Sequence, residues 1–184
     1  MTSALVPIAD GFEEIEALTI VDVLRRAGVA VTVASLSGGP VRGRSAVTVT
    51  PDAGLDEALR RGPVDLIVLP GGMSNAAHLR DDPRVVNAVR LAHADGRVVA
   101  AICAAPMVLE KAGLLHGVDA TIYPGMESEI PSSRIVEKDV VEAGSIITGR
   151  GPAAAMAFAL TLVRVLCGPE TSRQVAKALL AAGR

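Results

Sequence analysis

The stretch VVAAICAAPMVLEKAG, residues 98–113, decides the predicted fold. It begins with small and β-branched apolar residues, a run that is typical of a strand buried on both faces. The run stops at Cys103, and Pro106 then suits the first turn of a helix that ends before Gly113. A strand that passes directly into a helix is the repeating unit of a parallel α/β sheet.

The rest of the chain alternates in the same way between short apolar runs and amphipathic segments. The runs ALVPIA, VAVTVASL and DLIVLPGG predict strands, and EEIEALTIVDVLRRAG and DPRVVNAVRLAHADG predict helices. We expect an antiparallel excursion in LSGGPVRGRS, a strand in DATIYP, a hairpin in RIVEKDVVEAG, a strand in SIITG and two closing helices. This order predicts an α/β sandwich, with helices on both faces of a mostly parallel sheet and a single domain over residues 1–184.

Composition agrees with this class of fold and argues against several others. Half of the 184 residues are hydrophobic, yet there are only two Phe, one Tyr and no Trp, so aliphatic side chains must fill the core. The net charge of −2 comes from interspersed charges, which argues against nucleic acid as the main partner and against an anionic membrane surface.

Segments that direct a chain to or through a membrane are not predicted. The N-terminus turns acidic at once and lacks the basic region of a signal peptide. The longest apolar stretches, residues 98–109 and 152–163, are shorter than the roughly 18 residues that span a bilayer. Cys103 and Cys167 form neither a CxxC pair nor a zinc spacing. We therefore expect a cytoplasmic protein in a reducing compartment, without a metal site.

The carboxyl ends of parallel strands are where open α/β sheets bind their ligands. Glycine is frequent at these ends, as expected where the backbone turns tightly or approaches a ligand. The predicted ends are Asp10-Gly11, Pro70-Gly71-Gly72, Cys103, Tyr123-Pro124 and Gly149-Arg150-Gly151. A site that includes Cys103 is therefore predicted at this edge of the sheet.

Cys103 is a candidate nucleophile. A residue in such a sharp turn is often strained, with its side chain in the crevice. The helix start supplies free N–H groups and partial positive charge, so we expect the pKa of the thiol to fall below its free value of roughly 8.5. The N–H groups of Ala104 and Gly72 are expected to form an oxyanion hole. The alternative is that Cys103 is a small buried hydrophobe, as we expect for Cys167.

Glu16 is the second candidate, because it falls on the apolar face of the first predicted helix. At helical spacing one stripe contains Phe12, Glu16, Ile20, Val23, Leu24 and Ala27. An unpaired carboxylate there is costly, so a raised pKa and a protonated carboxyl are expected. The alternative is a carboxylate that caps local backbone or lies at the rim of the helix. Glu13 and Glu14 are interpreted as solvated charges of the first turn.

Histidine is the usual base for a cysteine nucleophile, but none of the three histidines ends a predicted strand. His78, His93 and His116 are interpreted as surface residues. Their positions argue against a Cys-His-Asp protease or glutaminase.

Six motifs together resemble the DJ-1/PfpI superfamily, and in particular its DJ-1 branch with the bacterial YajL- and ThiJ-like members. In chain order the motifs are ADGFEEIE, VDVLRRAG, PDAGLDEA, DLIVLPGG, AAICAAP and GRGPAAAMAFAL. The resemblance covers nearly the whole chain. It implies a flavodoxin-like three-layer sandwich, a homodimer, and no metal or organic cofactor.

The resemblance also implies roles for individual residues. The reactive cysteine falls on Cys103 and the protonated glutamate on Glu16. The oxyanion and substrate-binding positions fall on Gly71, Gly72, Ala104 and Tyr123. Three arginines with structural or dimer-facing roles fall on Arg25, Arg26 and Arg150. Many members have a histidine where this chain has Tyr123, which is a poor base near neutral pH, so protease-like hydrolysis is not expected. Phe12 is expected to narrow the mouth of the site.

Three functions follow as hypotheses. The first is a cofactor-free enzyme acting on reactive dicarbonyls such as methylglyoxal, as a glyoxalase or a protein deglycase, through a Cys103 hemithioacetal and proton transfer by Glu16. The second is an oxidative-stress sensor or redox-regulated chaperone that works through oxidation of Cys103. The third is a non-catalytic relative in which Cys103 is inert.

Overall fold

The computed structural model describes residues 1–181, and its centre is a seven-stranded sheet. The strands of the chain are β1 (Ser3–Ile8), β2 (Ala30–Ser35), β3 (Val41–Arg42), β4 (Thr48–Val49), β5 (Ala53–Gly54), β6 (Leu66–Leu69), β7 (Val98–Ile102), β8 (Asp119–Ala120), β9 (Arg134–Ile135), β10 (Val140–Ala143) and β11 (Ile146–Gly149). The order in the central sheet is β10-β11-β7-β6-β1-β2-β5. Every neighbouring pair is parallel except β10 and β11 at one edge.

Helices cover both faces of this sheet. They are α1 (Glu14–Arg26), α2 (Leu55–Arg60), α3 (Met73–Asp81), α4 (Pro83–Ala94), α5 (Pro106–Lys111), α6 (Ala155–Cys167) and α7 (Pro169–Ala178). On one face α1, α6 and α7 pack together, and on the other face α3, α4 and α5 pack together beside α2. The architecture is a flavodoxin-like three-layer sandwich, so the predicted fold class is confirmed.

The core is aliphatic, as the composition predicts. The four residues of β6 are all buried, and residues 99–102 of β7 are completely inaccessible to solvent. Strands covered by helices on both faces have no polar face, which explains their uninterrupted apolar sequence. Two separate apolar clusters, one on each side of the sheet, fix the three layers.

The predicted hairpin is displaced along the chain. It consists of β10 and β11, joined at Gly144, whose φ of +65° makes the tight turn possible. The segment RIVEKDVVEAG therefore supplies only the first strand of the hairpin, and its beginning, β9, pairs instead in parallel with β8. The strand predicted in DATIYP ends at Ala120, because the N–H of Thr121 bonds to the Thr148 side chain instead of continuing a ladder. The predicted antiparallel excursion is present, but only β3 lies within LSGGPVRGRS, and its partner β4 follows just beyond that segment.

Within residues 1–181 no helix combines the length and the apolar character needed to cross a bilayer.

Candidate active site

Cys103 lies in a strained turn between β7 and α5. Its φ is +64°, a conformation that costs a residue with a side chain about 1–2 kcal/mol. Two backbone hydrogen bonds hold it there: the N–H of Cys103 donates to the carbonyl of Gly149, and its carbonyl accepts from the N–H of Tyr123, both at 2.9 Å. Neighbouring structure thus fixes the turn, and the strain predicted from the sequence is observed.

Glu16 lies in the first turn of α1 and is completely buried. Its Oε2 accepts the N–H of Gly71 at 2.7 Å, whereas Oε1 is buried and receives no N–H or O–H within the described residues. Burial raises the pKa of this carboxyl from 4.5 to about 7, against the opposing effects of the hydrogen bonds from Gly71 and the Cys103 thiol. A large fraction of Glu16 is therefore protonated at neutral pH, in agreement with the expected raised pKa.

The turn at Gly71 and Gly72 brings the carboxyl and the thiol together. A methyl group on Gly71 would lie 2.6 Å from both Cys103 Cβ and Glu16 Oε2. Gly72 has a φ of +86°, and a methyl group there would lie 2.1 Å from the carbonyl oxygen of Gly11. Only glycine fits at these two positions, and the absence of a side chain at Gly71 allows the Glu16 carboxyl to lie next to Cys103.

The pKa of the Cys103 thiol is raised to about 12, not lowered. Burial is the largest cause, followed by the negative charge of Glu16 and the hydrogen bond to it; the N–H groups of Gly72 and Ala104 act in the opposite direction. The expectation of a lowered pKa is wrong because it weighed the helix start and neglected burial, which leaves the residue only 9% exposed. Two of the three causes that raise this pKa require an ionised Glu16, so they are absent when Glu16 is protonated.

A cavity of about 320 Å³ opens above Cys103. Its lining consists of Glu13, Arg44, Gly72, Met73, Cys103, Ala104, Tyr123, Met126 and Pro152. The predicted positions Cys103, Gly72, Ala104 and Tyr123 thus meet at one cavity, while Glu16 and Gly71 lie beneath it. Tyr123 is 46% exposed, so the residue is accessible to solvent and to a ligand.

Glu13 and Glu14 are not solvated, contrary to the expectation. They are 5% and 8% exposed. Glu13 caps α1 by accepting the N–H of Glu16 at 2.8 Å, and Oε1 of Glu14 accepts the N–H of Ser45 at 2.8 Å. The interpretation of these residues as solvated charges is wrong because the β3–β4 hairpin, which is distant in sequence, covers the start of α1.

Other predicted residues lie away from the cavity. Phe12 is completely buried in the core and does not line the cavity, so the prediction that it narrows the mouth is wrong. None of the histidines lines the cavity either; His78 and His116 are exposed, and His93 contacts the hydroxyl of Ser145.

The three arginines with expected structural roles do not line the cavity either. Arg25 pairs with Asp52 and Arg26 with Asp22, at 2.6 and 2.7 Å. The N–H of Arg150 bonds to the carbonyl of Asp139.

Cys167 ends α6, and burial raises its pKa. In the described part of the chain no three His, Cys, Asp or Glu side chains are grouped to hold a metal ion.

Arg44, Glu13, Met73, Met126 and Pro152 are lining residues that sequence reasoning missed. Each comes from a loop or a helix end, where no periodicity marks a position as facing the site. The sequence predicts the glycine-rich excursion LSGGPVRGRS, but nothing in the sequence places it near the end of β7.

A cysteine in a strained strand-to-helix turn, beside a buried glutamate and two free N–H groups, defines a cysteine-centred site on a flavodoxin-like fold. The chain belongs to the DJ-1/PfpI family, whose profile matches residues 2–165.

Similar proteins cover nearly the whole chain. Protein dj-1beta of Drosophila melanogaster is 42% identical over 183 residues, which is 98% of this chain and 97% of that protein. A Caenorhabditis elegans protein named glutathione-independent glyoxalase DJR-1.2 is 32% identical over 180 residues, covering 95% and 93% of the two chains.

Solved structures agree with this assignment. The crystal structure of Drosophila melanogaster DJ-1beta superposes with a TM-score of 0.94 at 41% identity and covers 97% of both chains. The structure of oxidized Toxoplasma gondii DJ-1 superposes with a TM-score of 0.93 at 38% identity and covers 98% of both chains. Because the C. elegans relative is named as a glyoxalase, the family includes at least one glyoxalase-type enzyme.

Proposed function

We propose that this protein is a cofactor-free enzyme that converts reactive dicarbonyls such as methylglyoxal into 2-hydroxy acids. The observation that carries the proposal is the arrangement of Cys103 and Glu16 on either side of Gly71, at the base of a cavity. The C. elegans relative named as a glutathione-independent glyoxalase supports the same chemistry.

The reaction begins when the sulfur of Cys103 adds to the aldehyde carbon of the substrate. The N–H groups of Gly72 and Ala104 stabilise the oxyanion of the resulting hemithioacetal. Glu16 then moves a proton from the former aldehyde carbon to the neighbouring carbon through an enediol, which leaves a thioester. Water hydrolyses the thioester to the hydroxy acid, lactate from methylglyoxal, and returns the thiol. One water is consumed and no external oxidant or reductant is needed.

The two acids of the pair control which form of the sulfur reacts. When Glu16 holds the proton, its charge no longer opposes ionisation of Cys103, and its O–H can donate to the sulfur. When the sulfur holds the proton, the carboxylate is stabilised by the N–H of Gly71. Because the pKa of Glu16 lies near 7, its carboxylate is populated at neutral pH and can accept the thiol proton as the sulfur attacks. The same attack on a hemithioacetal or aminocarbinol attached to a protein would be deglycation.

Turnover of methylglyoxal without glutathione tests the proposal. Lactate formation is measured for the wild type, Cys103→Ala, Glu16→Gln and, as a control, Cys167→Ala. We expect loss of activity in the first two variants and retention in the control. Equal rates in all four proteins would contradict the proposal, and so would no turnover by the wild type.

A redox sensor is the second candidate, because the cavity gives peroxide access to Cys103. The N–H groups of Gly72 and Ala104 are placed to stabilise an oxidised, anionic sulfur. A solved relative is described as oxidized, which supports this candidate for the family. Intact and peptide mass analysis under mild peroxide tests it. Oxygen addition at Cys103 before Cys167 is expected, and oxidation of Cys167 alone would contradict it.

A further inference from the structure

We propose that Arg44 makes the site selective for 2-oxoaldehydes that carry a carboxylate on a short arm. This inference rests on the proposed function and narrows it to a class of anionic substrates. Arg44 lies in the β3–β4 hairpin and shares the cavity lining with Cys103. A substrate whose aldehyde reaches the sulfur can thus present its other end to a guanidinium.

The charge of Arg44 is available to a ligand. Most arginines of the described chain form an ion pair, including Arg25, Arg84 and Arg164. Arg44 forms none with residues 1–181, since no carboxylate oxygen lies within 4.0 Å of its guanidinium. A planar guanidinium left unpaired at the wall of a cavity can bind a carboxylate with two parallel hydrogen bonds.

The hairpin holds the backbone of Arg44 in a fixed position. Its N–H donates to the carbonyl of Phe12 at 2.9 Å, and the N–H of Gly43 donates to the carbonyl of Val47 at 2.8 Å. On the other side, the buried carboxylate of Glu14 accepts the N–H of Ser45. The guanidinium is therefore carried by a preorganised loop, which lowers the entropic cost of binding an anion.

Gly43 is packed against the same anchor. A methyl group on Gly43 would lie 2.3 Å from Oε1 of Glu14, so the glycine lets the hairpin close directly on the buried carboxylate. Three contacts, from Phe12, Val47 and Glu14, thus hold the backbone of Arg44 and of the two residues that flank it.

Among the lining residues that the structure describes, Arg44 is the single cation and Glu13 the single anion. Glu13 is 5% exposed, and its Oε2 is occupied by the N–H of Glu16, whereas Arg44 is exposed. The charge of Arg44 is also felt at the reacting pair, because it lowers the pKa of Glu16. The exposed charge in the lining of the cavity is therefore positive.

The substrate class follows from this geometry. In 4,5-dioxopentanoate, a 2-oxoaldehyde group is joined through two methylenes to a carboxylate. Addition of Cys103 to the aldehyde, transfer of one proton between the two carbonyl carbons and hydrolysis by one water would give 2-hydroxyglutarate. The aldehyde carbon is oxidised and the ketone carbon is reduced, so no further reactant is required.

The test compares kcat/KM for 4,5-dioxopentanoate with that for 5-methyl-2-oxohexanal, in which an isopropyl group replaces the carboxylate. The ratio of the two values is measured in wild type, Arg44→Ala, Arg44→Lys and Arg42→Ala. Arg42 is a matched control, because it is an exposed arginine of the same hairpin that does not line the cavity. We expect R44A to lower the ratio by about tenfold or more, R44K to restore part of it, and R42A to leave it unchanged.

The ratio separates a failure of this inference from a failure of the proposed function. Turnover of both substrates with the same ratio in wild type and R44A would overturn the role of Arg44 while leaving the dicarbonyl chemistry intact. No turnover of either substrate would overturn the proposed function. In that case, binding of 2-hydroxyglutarate to the inactive Cys103→Ala protein by calorimetry decides the inference: binding that R44A abolishes supports it, and binding unchanged by R44A overturns it.

Discussion

Replacing Glu16 with Gln is expected to remove a large part of the pH dependence of folding stability. The carboxyl is completely buried and burial raises its pKa from 4.5 to about 7, so it gives up its proton more readily in the unfolded chain than in the fold. The stability that comes from burying the neutral acid is therefore fully present below pH 4.5 and is lost as the pH rises through about 7. Above that value no further loss comes from this group.

The magnitude follows from the distance between the two pKa values. Each pKa unit corresponds to about 1.4 kcal/mol, so the change from 4.5 to about 7 amounts to about 3 kcal/mol. This figure belongs to the Glu16–Cys103 pair as a whole and does not depend on which atom keeps the remaining proton. A loss of this size is a substantial part of the about 5–15 kcal/mol that stabilises an ordinary domain.

Urea unfolding at a series of pH values between 4.5 and 8 measures the effect. The free energy of unfolding of E16Q is subtracted from that of the wild type, which cancels the titration of all other groups. We expect the difference to fall by about 3 kcal/mol across the interval and then to level off. E137Q, which replaces an exposed glutamate, is the control. A difference that stays constant with pH would refute the raised pKa of Glu16.

Three further outcomes are expected. In E16Q the ultraviolet absorbance of the Cys103 thiolate should appear at lower pH than in the wild type, because the charge that helps to raise the thiol pKa to about 12 is gone; a shift to higher pH would contradict this. Gly71→Ala should abolish most of the activity and destabilise the fold by about 1–3 kcal/mol, because its methyl group would lie 2.6 Å from both reacting residues. Gly39→Ala, where a methyl group meets no atom within 4 Å, should be neutral in the same activity and unfolding assays. Cys103→Gly should be more stable to urea than Cys103→Ala by about 1 kcal/mol, because glycine accepts the φ of +64° without strain; equal stability would mean that the turn is not strained.

Much of the fold was predictable because its long elements repeat one physical pattern. Strands β1, β6 and β7 are apolar on both faces, which a sequence shows directly, and the glycines that follow the helices mark the helix ends. The short strands β8 and β9 were not predictable, since each has two residues and their pairing joins segments that are remote in the chain. A two-residue ladder carries no periodicity to detect.

The candidate site was predictable where its residues follow from local pattern. Cys103 is found at a strand end, and Glu16 interrupts an apolar helical stripe, so each is visible within a few residues of sequence. The surroundings of Glu14 and Arg44 were not predictable, because both depend on the contact between α1 and the β3–β4 hairpin. The hydrogen bond between Glu14 and Ser45, for example, joins residues that are 31 positions apart in the chain. The predicted lowering of the Cys103 pKa was wrong for a related reason. The start of a helix can be predicted from local sequence, but burial is a property of the whole fold.

In the proposed mechanism, the pairing of Glu16 with Cys103 supplies a proton acceptor beside a thiol that burial keeps protonated. Desolvation raises the pKa of Glu16 to about 7 and contributes most to the thiol pKa of about 12, so without a neighbouring proton acceptor the thiol would remain protonated at neutral pH. The first proton of the pair leaves near pH 7 and its charge lies on the Glu16 carboxylate, and in the proposed reaction transfer of the thiol proton to this carboxylate moves the charge to sulfur. Backbone N–H groups stabilise the negative charge in either position. Those of Gly72 and Ala104 lie beside the sulfur, and that of Gly71 donates to the carboxylate. Because these donors are part of the backbone, the proton can cross without rearrangement of solvent, and this requires glycine at Gly71.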